Sequence, residues 1–291
     1  MMLYQLPDLD IERFIEEDVP YGDITTSLLE IGSLRGEITF TSRDATVLCC
    51  TEEAARVLEQ CGANVTCCLA SSSMAEAGTT ILAASGPVSS LHAGWKVALN
   101  LLEYASGIAT RTRTLVSLAR KVNPHITVVT TRKSFPGTKK IALKAIMAGG
   151  ALPHRIGLSD SILVFKQHTA FMGGLESFLD TVASLKAKAP EHKIIVEAET
   201  AEEALNIAMA DIDIIQIDKL LPDELLILVK EIRKIRPDVK ISAAGGITVE
   251  TAAAYAKAGV DILVLSSVYF GRPADIGVII HPSPNIEQQL L

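Results

Sequence analysis

Arg132 and Lys133 close an apolar, β-branched run, Val128-Val129-Thr130-Thr131, and Pro136-Gly137 then breaks the backbone before Lys139 and Lys140 open a helix-like stretch. A strand that ends in cations and a turn delivers positive charge to one place, which suits a polyanion such as a phosphorylated or polycarboxylate small molecule. Lys139 and Lys140 at a helix start run against the helix dipole unless an anion lies nearby. A second basic pair, His154-Arg155, follows Gly149-Gly150, and a guanidinium there could clamp a carboxylate or phosphate through two parallel hydrogen bonds. Opposite in sign, Glu197 and Asp218 end consecutive apolar runs, with Glu199 two residues on. Acids on neighbouring strand ends can share a divalent cation or hold two hydroxyls of a sugar. Ala243-Ala244-Gly245-Gly246-Ile247-Thr248 is a small-residue turn before a predicted helix, and Ser266-Ser267 follows the next predicted strand. Backbone N–H groups of Ala244, Gly245 and Gly246, with the hydroxyls of Ser266 and Ser267, read as a phosphate cradle. Neither turn has the spacing of a Walker A loop or a dinucleotide fingerprint.

The elements that must position these groups begin near Asn123. Short β-branched runs at Ile126–Thr131, Ser161–Phe165, Lys193–Glu197, Asp213–Asp218, Val239–Ala243 and Asp261–Leu265 alternate with helical patterns over about 139–150, 171–189, 200–210, 222–236 and 248–258. Almost wholly apolar strands separated by helices imply a parallel sheet covered by helices. A closed barrel and an open doubly wound sheet both fit that alternation. The polar groups favour the barrel: Arg132/Lys133, Lys166/His168, Glu197/Glu199, Asp218/Lys219, Gly245/Gly246 and Ser266/Ser267 each stand at the carboxyl end of a strand, and only a barrel brings all those ends to one mouth. Only six strands are visible, fewer than the usual eight.

Residues 1–110 have a mixed pattern: a short amphipathic helix over Asp8–Asp18, a helix start at Gly22-Asp23-Ile24-Thr25-Thr26, a strand at Arg35–Ser42, a helix at Thr51–Cys61, strand edges at Asn64–Leu69 and Pro87–His92, and a long helical pattern from about Gly94 to Lys121 with a break near Gly107. The expected division is a first domain over 1–110, to which the tail 272–291 returns, and a barrel domain over 111–271. The 291 residues carry a formal net charge of −7 with 48% apolar residues, enough for a large core, and the acidic balance argues against a nucleic-acid partner. No run long and apolar enough to span a membrane and no charged-then-apolar leader is visible, so a cytoplasmic location is expected. The five cysteines, Cys49, Cys50, Cys61, Cys67 and Cys68, lack zinc-site spacing and are expected to be buried small hydrophobes.

Thr131-Arg132-Lys133-x-x-Pro136-Gly137, Ala148-Gly149-Gly150, His154-Arg155-x-Gly157-Leu158, Glu197-x-Glu199, Ile217-Asp218, Gly245-Gly246-Ile247 and Gly259-Val260-Asp261 occur in the order seen in quinolinate phosphoribosyltransferases, which the chain resembles over nearly its whole length. Glu17-Asp18-x-x-x-Gly22-Asp23-Ile24-Thr25-Thr26 and Ser106-Gly107-Ile108-Ala109-Thr110 match as well. The resemblance implies an α/β protein with an N-terminal α/β sandwich plus an incomplete six-stranded parallel α/β barrel of TIM-like form. It also implies a homodimer or higher homo-oligomer in which the neighbouring subunit completes each site. The implied reaction joins quinolinate to phosphoribosyl pyrophosphate (PRPP), releasing pyrophosphate and carbon dioxide, with magnesium at Glu197 and Asp218, directly or through water.

By the same resemblance Lys133, Glu197 and Asp218 would be catalytic. Lys96, Thr131, Arg132, His154, Arg155, Lys166 and His168 would bind substrate, with Lys96 reaching the partner's site, and Ala244, Gly245, Gly246, Ser266 and Ser267 would bind phosphate. The chain departs from the family where Phe165 replaces a lysine, Lys96 an arginine, Pro153 and Lys219 asparagines and Phe270 a histidine. Phe165, Lys96 and the Ser134-Phe135-Pro136-Gly137 turn resemble the ModD branch, associated with molybdenum transport. The expected activity is therefore transfer of phosphoribosyl to an aromatic or N-heterocyclic carboxylate through an altered acceptor pocket. The alternatives are an authentic carboxylating nicotinate-nucleotide pyrophosphorylase of NAD biosynthesis and a non-enzymatic molybdate- or nucleotide-binding accessory protein. A Schiff-base aldolase using Lys133 or Lys166 is the weakest reading.

Overall fold

The structure is a computed structural model and describes residues 4–283. The described residues divide into two compact units, 4–113 with 136–149 and 270–283, and 114–135 with 150–269.

In the first unit, strands Ile276–Pro282, Arg35–Ser42, Thr80–Pro87 and Asn64–Cys68 form a four-stranded sheet in that order, each pairing antiparallel. Arg35–Ser42 alternates between outward residues and buried Ile38 and Phe40, as one half-buried face requires. Its core includes Leu58, Leu82, Leu102, Ala145 and Ile276, so the helix Lys139–Ala148 packs here. The helix that begins at Val88 is unbroken to Val122. The strand edge expected over Pro87–His92 is therefore its first turn, and Gly107 does not interrupt it. That glycine answers a close approach instead: a Cβ on it would stand 2.9 Å from the Ala274 backbone nitrogen and 3.0 Å from the Arg272 carbonyl. Cys49 and Cys50 are buried as expected, but Cys61 is half-buried, and Cys67 and Cys68 are exposed on the edge strand Asn64–Cys68; all five thiols are free.

The second unit is built on a parallel sheet of seven strands in the order Leu152–Pro153, Thr127–Thr130, Ile262–Leu265, Lys240–Ala244, Ile214–Asp218, Ile194–Ala198 and Ile162–Val164. Six of these are the strands visible in the sequence. The seventh, Leu152–Pro153, is too short to leave a periodic signal. The sheet curls into a half-barrel whose inward rows follow from the register. One row runs Val129, Val264, Ala244, Asp218, and the row beneath it runs Ile262, Ser242, Gln216, Glu197. Side chains two apart on one strand share a face, so Gln216 and Asp218 both point inward while Ile215 and Ile217 are buried on the opposite face. The helical stretch expected over 171–189 is three short helices, Ala170–Met172, Leu175–Leu179 and Val182–Lys188; Gly173 (φ 85°) and Gly174 (φ 105°) make the first break, and the second falls at Asp180-Thr181. The helix expected from 248 begins at Ala252. Among the described residues no helix is long and apolar enough to cross a membrane.

Candidate functional site

A cavity of about 870 Å³ opens at the carboxyl ends of the second unit's strands. Thr131, Arg132, Lys133, His154, Arg155, Glu197, Asp218, Ala244, Gly245, Gly246, Ser266 and Ser267 all line it. Of the residues to which the family resemblance gives a role, Lys96, Lys166 and His168 are not part of that lining, and neither are Lys139, Lys140 and Glu199.

The basic side is held by its backbone. The Thr131 N–H donates to the Leu265 carbonyl at 2.9 Å, and the Thr131 hydroxyl accepts the Lys133 N–H at 3.3 Å, bending the chain just after the strand. The His154 N–H donates to the Thr130 carbonyl at 2.9 Å, which brings the second basic pair beside the first. Arg132 and Lys133 are exposed, and their side chains meet no hydrogen-bond or ion-pair partner among the described residues. Burial, and secondly the charge of Arg155, depress the His154 pKa to about 4, so its imidazole is neutral at neutral pH. The Arg155 guanidinium lies 5.9 Å from the Phe165 ring centre, within cation–π range, and Phe165 stacks on His168 at 5.8 Å.

His168 and Lys166 face other tasks. His168 Nδ1 accepts the Phe165 N–H at 2.9 Å, closing the turn that follows the strand, and Lys166 Nζ sits 3.1 Å from Glu199 Oε2. Gln167, between them, reaches the cavity instead. In the first unit, Lys96 Nζ lies 4.2 Å over the Trp95 ring. Lys140 is paired with Asp10 at 2.6 Å, so the cation at that helix start answers a protein carboxylate.

The acidic side is more deeply set. Burial pushes the Glu197 pKa above its usual value against the hydrogen bond from Gln216, and the nearby Asp218 charge adds to the rise. Asp218 Oδ2 pairs with Lys219 Nζ at 3.0 Å. Lys219 holds a left-handed backbone (φ 60°), and its N–H donates to the Ala244 carbonyl at 2.8 Å. This packs the 218–219 turn against Gly245 so closely that a Cβ there would lie 2.6 Å from Lys219 Cγ and 2.9 Å from Asp218 Oδ1. Glycine is required at 245 for space as well as for its φ of +83°.

The cradle differs in one respect from its sequence reading. Gly245 and Gly246 line the cavity, yet the helix starts six residues beyond Gly246, and the Thr248 N–H is taken by the Thr251 hydroxyl at 2.9 Å. The donors here are therefore loop groups without a helix terminus behind them. The Ser267 hydroxyl donates to the Ile247 carbonyl at 2.7 Å and fixes the turn from behind.

No group of three or more His, Cys, Asp or Glu that could hold a metal ion occurs among the described residues. Among the described residues Glu197 and Asp218 alone offer carboxylates inside the cavity, which suits a hard cation that keeps water and ligand oxygens in its shell.

Sequence reasoning missed Gln216. It lines the cavity, is 4% exposed, and its Nε2 donates to Glu197 Oε2 at 2.6 Å. Its signal was available: a polar residue inside the apolar strand Ile214-Ile215-Gln216-Ile217, with the same parity as Asp218.

A curled parallel sheet with cations and acids gathered at the carboxyl ends of its strands defines an α/β half-barrel protein with a polyanion-sized cavity. The chain matches the descriptions "Quinolinate phosphoribosyl transferase, N-terminal domain" over residues 23–106 and "Quinolinate phosphoribosyl transferase, C-terminal domain" over 108–278. It belongs to the quinolinate phosphoribosyltransferase family. It is 42% identical over 259 residues, 88% of this chain and 98% of the relative, to a Rhodobacter capsulatus protein named "Putative pyrophosphorylase ModD". A protein of the same name from Pasteurella multocida is 34% identical over 279 residues, 96% of this chain and 99% of the relative. The structure of the nicotinate-nucleotide pyrophosphorylase from Francisella tularensis matches with a TM-score of 0.86 and 25% identity, covering 95% of this chain and 98% of that one.

Proposed function

We propose that the protein transfers the 5-phosphoribosyl group of PRPP to an aromatic or N-heterocyclic carboxylate and releases pyrophosphate. The observation that carries this reading is a single cavity with Arg132 and Lys133 on one side and Glu197 and Asp218 on the other, in a chain of this family. In such a transfer the bond from C1 of the ribose to the pyrophosphate oxygen breaks, the pyrophosphate leaves with the electron pair, and a ring nitrogen of the acceptor supplies the pair for the new bond. Positive charge grows on the ribose as negative charge grows on the leaving group. Fixed carboxylates at Glu197 and Asp218 stabilise the first, and the unpaired cations Arg132 and Lys133 the second. The loop donors near Gly245, Gly246, Ser266 and Ser267 hold the 5-phosphate. Magnesium, when bound by Glu197 and Asp218 together with ligand oxygens, would neutralise pyrophosphate charge. The protein acts as a homodimer, with Lys96 entering its neighbour's site.

The acceptor end supports a ligand less anionic than quinolinate. Leu163 and Phe165 line it, His154 is neutral, and Lys166 turns to Glu199. The test is pyrophosphate release from PRPP with quinolinate, nicotinate and other ring carboxylates offered in parallel. Release with a monocarboxylate exceeding that with quinolinate supports the altered acceptor pocket. Quinolinate turnover that dominates the panel restores the carboxylating nicotinate-nucleotide reading. Tight molybdate binding with no PRPP affinity replaces both with an accessory-protein role.

A further inference from the structure

Gln216 is a buried amide of which only one end is satisfied. Its Nε2 donates to Glu197 Oε2 at 2.6 Å, whereas its Oε1 is buried and meets no hydrogen-bond partner. The orientation follows from chemistry: an ionised carboxylate only accepts, so the amide must turn its nitrogen toward Glu197 and its oxygen away. The inward neighbours cannot satisfy that oxygen. Ser242, beside it in register, spends its hydroxyl on the Ile215 carbonyl at 3.4 Å, and Ile262 beyond is apolar. A buried carbonyl left without a donor is costly, and the residue lines the ligand cavity.

We infer that Gln216 is a positioning and specificity residue of this cavity, its amide nitrogen fixing Glu197 and its carbonyl reserved for a hydroxyl of the bound sugar. The inference rests on the proposed phosphoribosyl reading. An uncompensated carbonyl repels a phosphate or carboxylate oxygen and accepts only from a donor. In a PRPP-sized ligand the donors are the ribose hydroxyls. They would meet Gln216 in the row directly beneath Asp218, with Glu197 beside it, so one layer of the half-barrel reads the sugar while the basic rim takes the phosphates.

The experiment is calorimetric titration of the intact protein and its Gln216→Met variant with ribose 5-phosphate and, separately, inorganic pyrophosphate, each with and without magnesium. Expected are an affinity for ribose 5-phosphate lowered about tenfold and an affinity for pyrophosphate unchanged. Equal weakening for both ligands, or weakening seen only with magnesium present, would make Gln216 a general or cation-binding group and overturn the inference. So would an unchanged ribose 5-phosphate affinity in a wild type that binds it. A wild-type protein that binds neither ribose 5-phosphate nor PRPP overturns the phosphoribosyl reading itself, and this inference with it. Should Gln216→Met fail to fold, Gln216→Asn keeps the strand polar but shortens the reach to Glu197, and the same two results are expected.

Discussion

Lys144 in the first unit and Arg132 in the second are both single cations beside apolar segments, and their surroundings are opposite. Lys144 is 1% exposed and donates to Glu53 Oε2 at 2.6 Å and Oε1 at 2.8 Å, and to Glu52 Oε2 at 3.0 Å. Glu53 is itself fully buried and also accepts the Leu6 N–H at 3.1 Å. Burial works against the Lys144 charge, but the surrounding groups, Glu53 first with Cys50 and Glu52 adding, together outweigh it and hold the Lys144 pKa above its usual value. Arg132 is exposed at the rim of a cavity and has no partner among the described residues. The lesson is one of satisfaction. Charges whose every hydrogen bond is met internally hold a fold in one arrangement, whereas charges gathered and left unmet at a cavity are free to meet a ligand.

That contrast breaks most readily at Lys144. Lys144→Met should lower stability by about 3–5 kcal/mol, because Glu53 is left buried without its cation, and the additional change Glu53→Gln should recover part of the loss; urea unfolding of both variants measures it. A loss under about 1 kcal/mol would mean that water reaches the pair.

On the other side, Glu197→Gln should reduce turnover about 10²–10³-fold with little change in urea midpoint, as expected for a group that acts on developing charge. Arg132→Ala should weaken PRPP binding about 10–100-fold while moving stability by no more than about 0.5 kcal/mol. Its effect should shrink as salt rises, since an exposed charge is screened. A stability loss matching the loss in binding would erase the distinction between the two clusters.

His154 lies between the extremes, half-buried and uncharged. Its folded-state pKa of about 4 is below its ordinary 6.5, so the unfolded chain binds the proton first. Its contribution is complete above about pH 6.5 and is lost as pH falls toward 4. His154→Gln should flatten that acid limb of stability by on the order of 1–2 kcal/mol, discounted for partial exposure; unfolding midpoints taken between those two pH values test it. The smallest effect is expected at Lys96, where loss of the contact with Trp95 costs about 0.5 kcal/mol. A clear loss of PRPP affinity in Lys96→Ala at such small cost would support a site shared between subunits.

Much of the half-barrel is legible because its strands are short β-branched runs bounded by turn residues, so their ends fall within about a residue of expectation. The chemistry is legible for a related reason: polar residues that terminate apolar runs stand out. What stayed hidden depends on partners far along the chain. Gly107 signals a helix break locally, but residues 272–274 make it a contact. Residues 171–189 have helical composition, yet two left-handed glycines divide them. Lys166 looks equivalent to Arg132 until Glu199 is found beside it, 33 positions away. Gln216 was overlooked because a lone amide inside a strand carries no charge, and its meaning lies in the acid on the neighbouring strand.

The curled sheet of the second unit does not close, so it has two border strands. At one border stand Leu152 and Pro153, the latter paired in register with Thr130. At the other lies Ile162–Val164, three residues long. Unpaired borders invite foreign chains to add on, and brevity together with a residue lacking an N–H are ways to discourage it. Pro153 thus has work unrelated to any ligand: it helps keep an unfinished cylinder from becoming the template for a fibre.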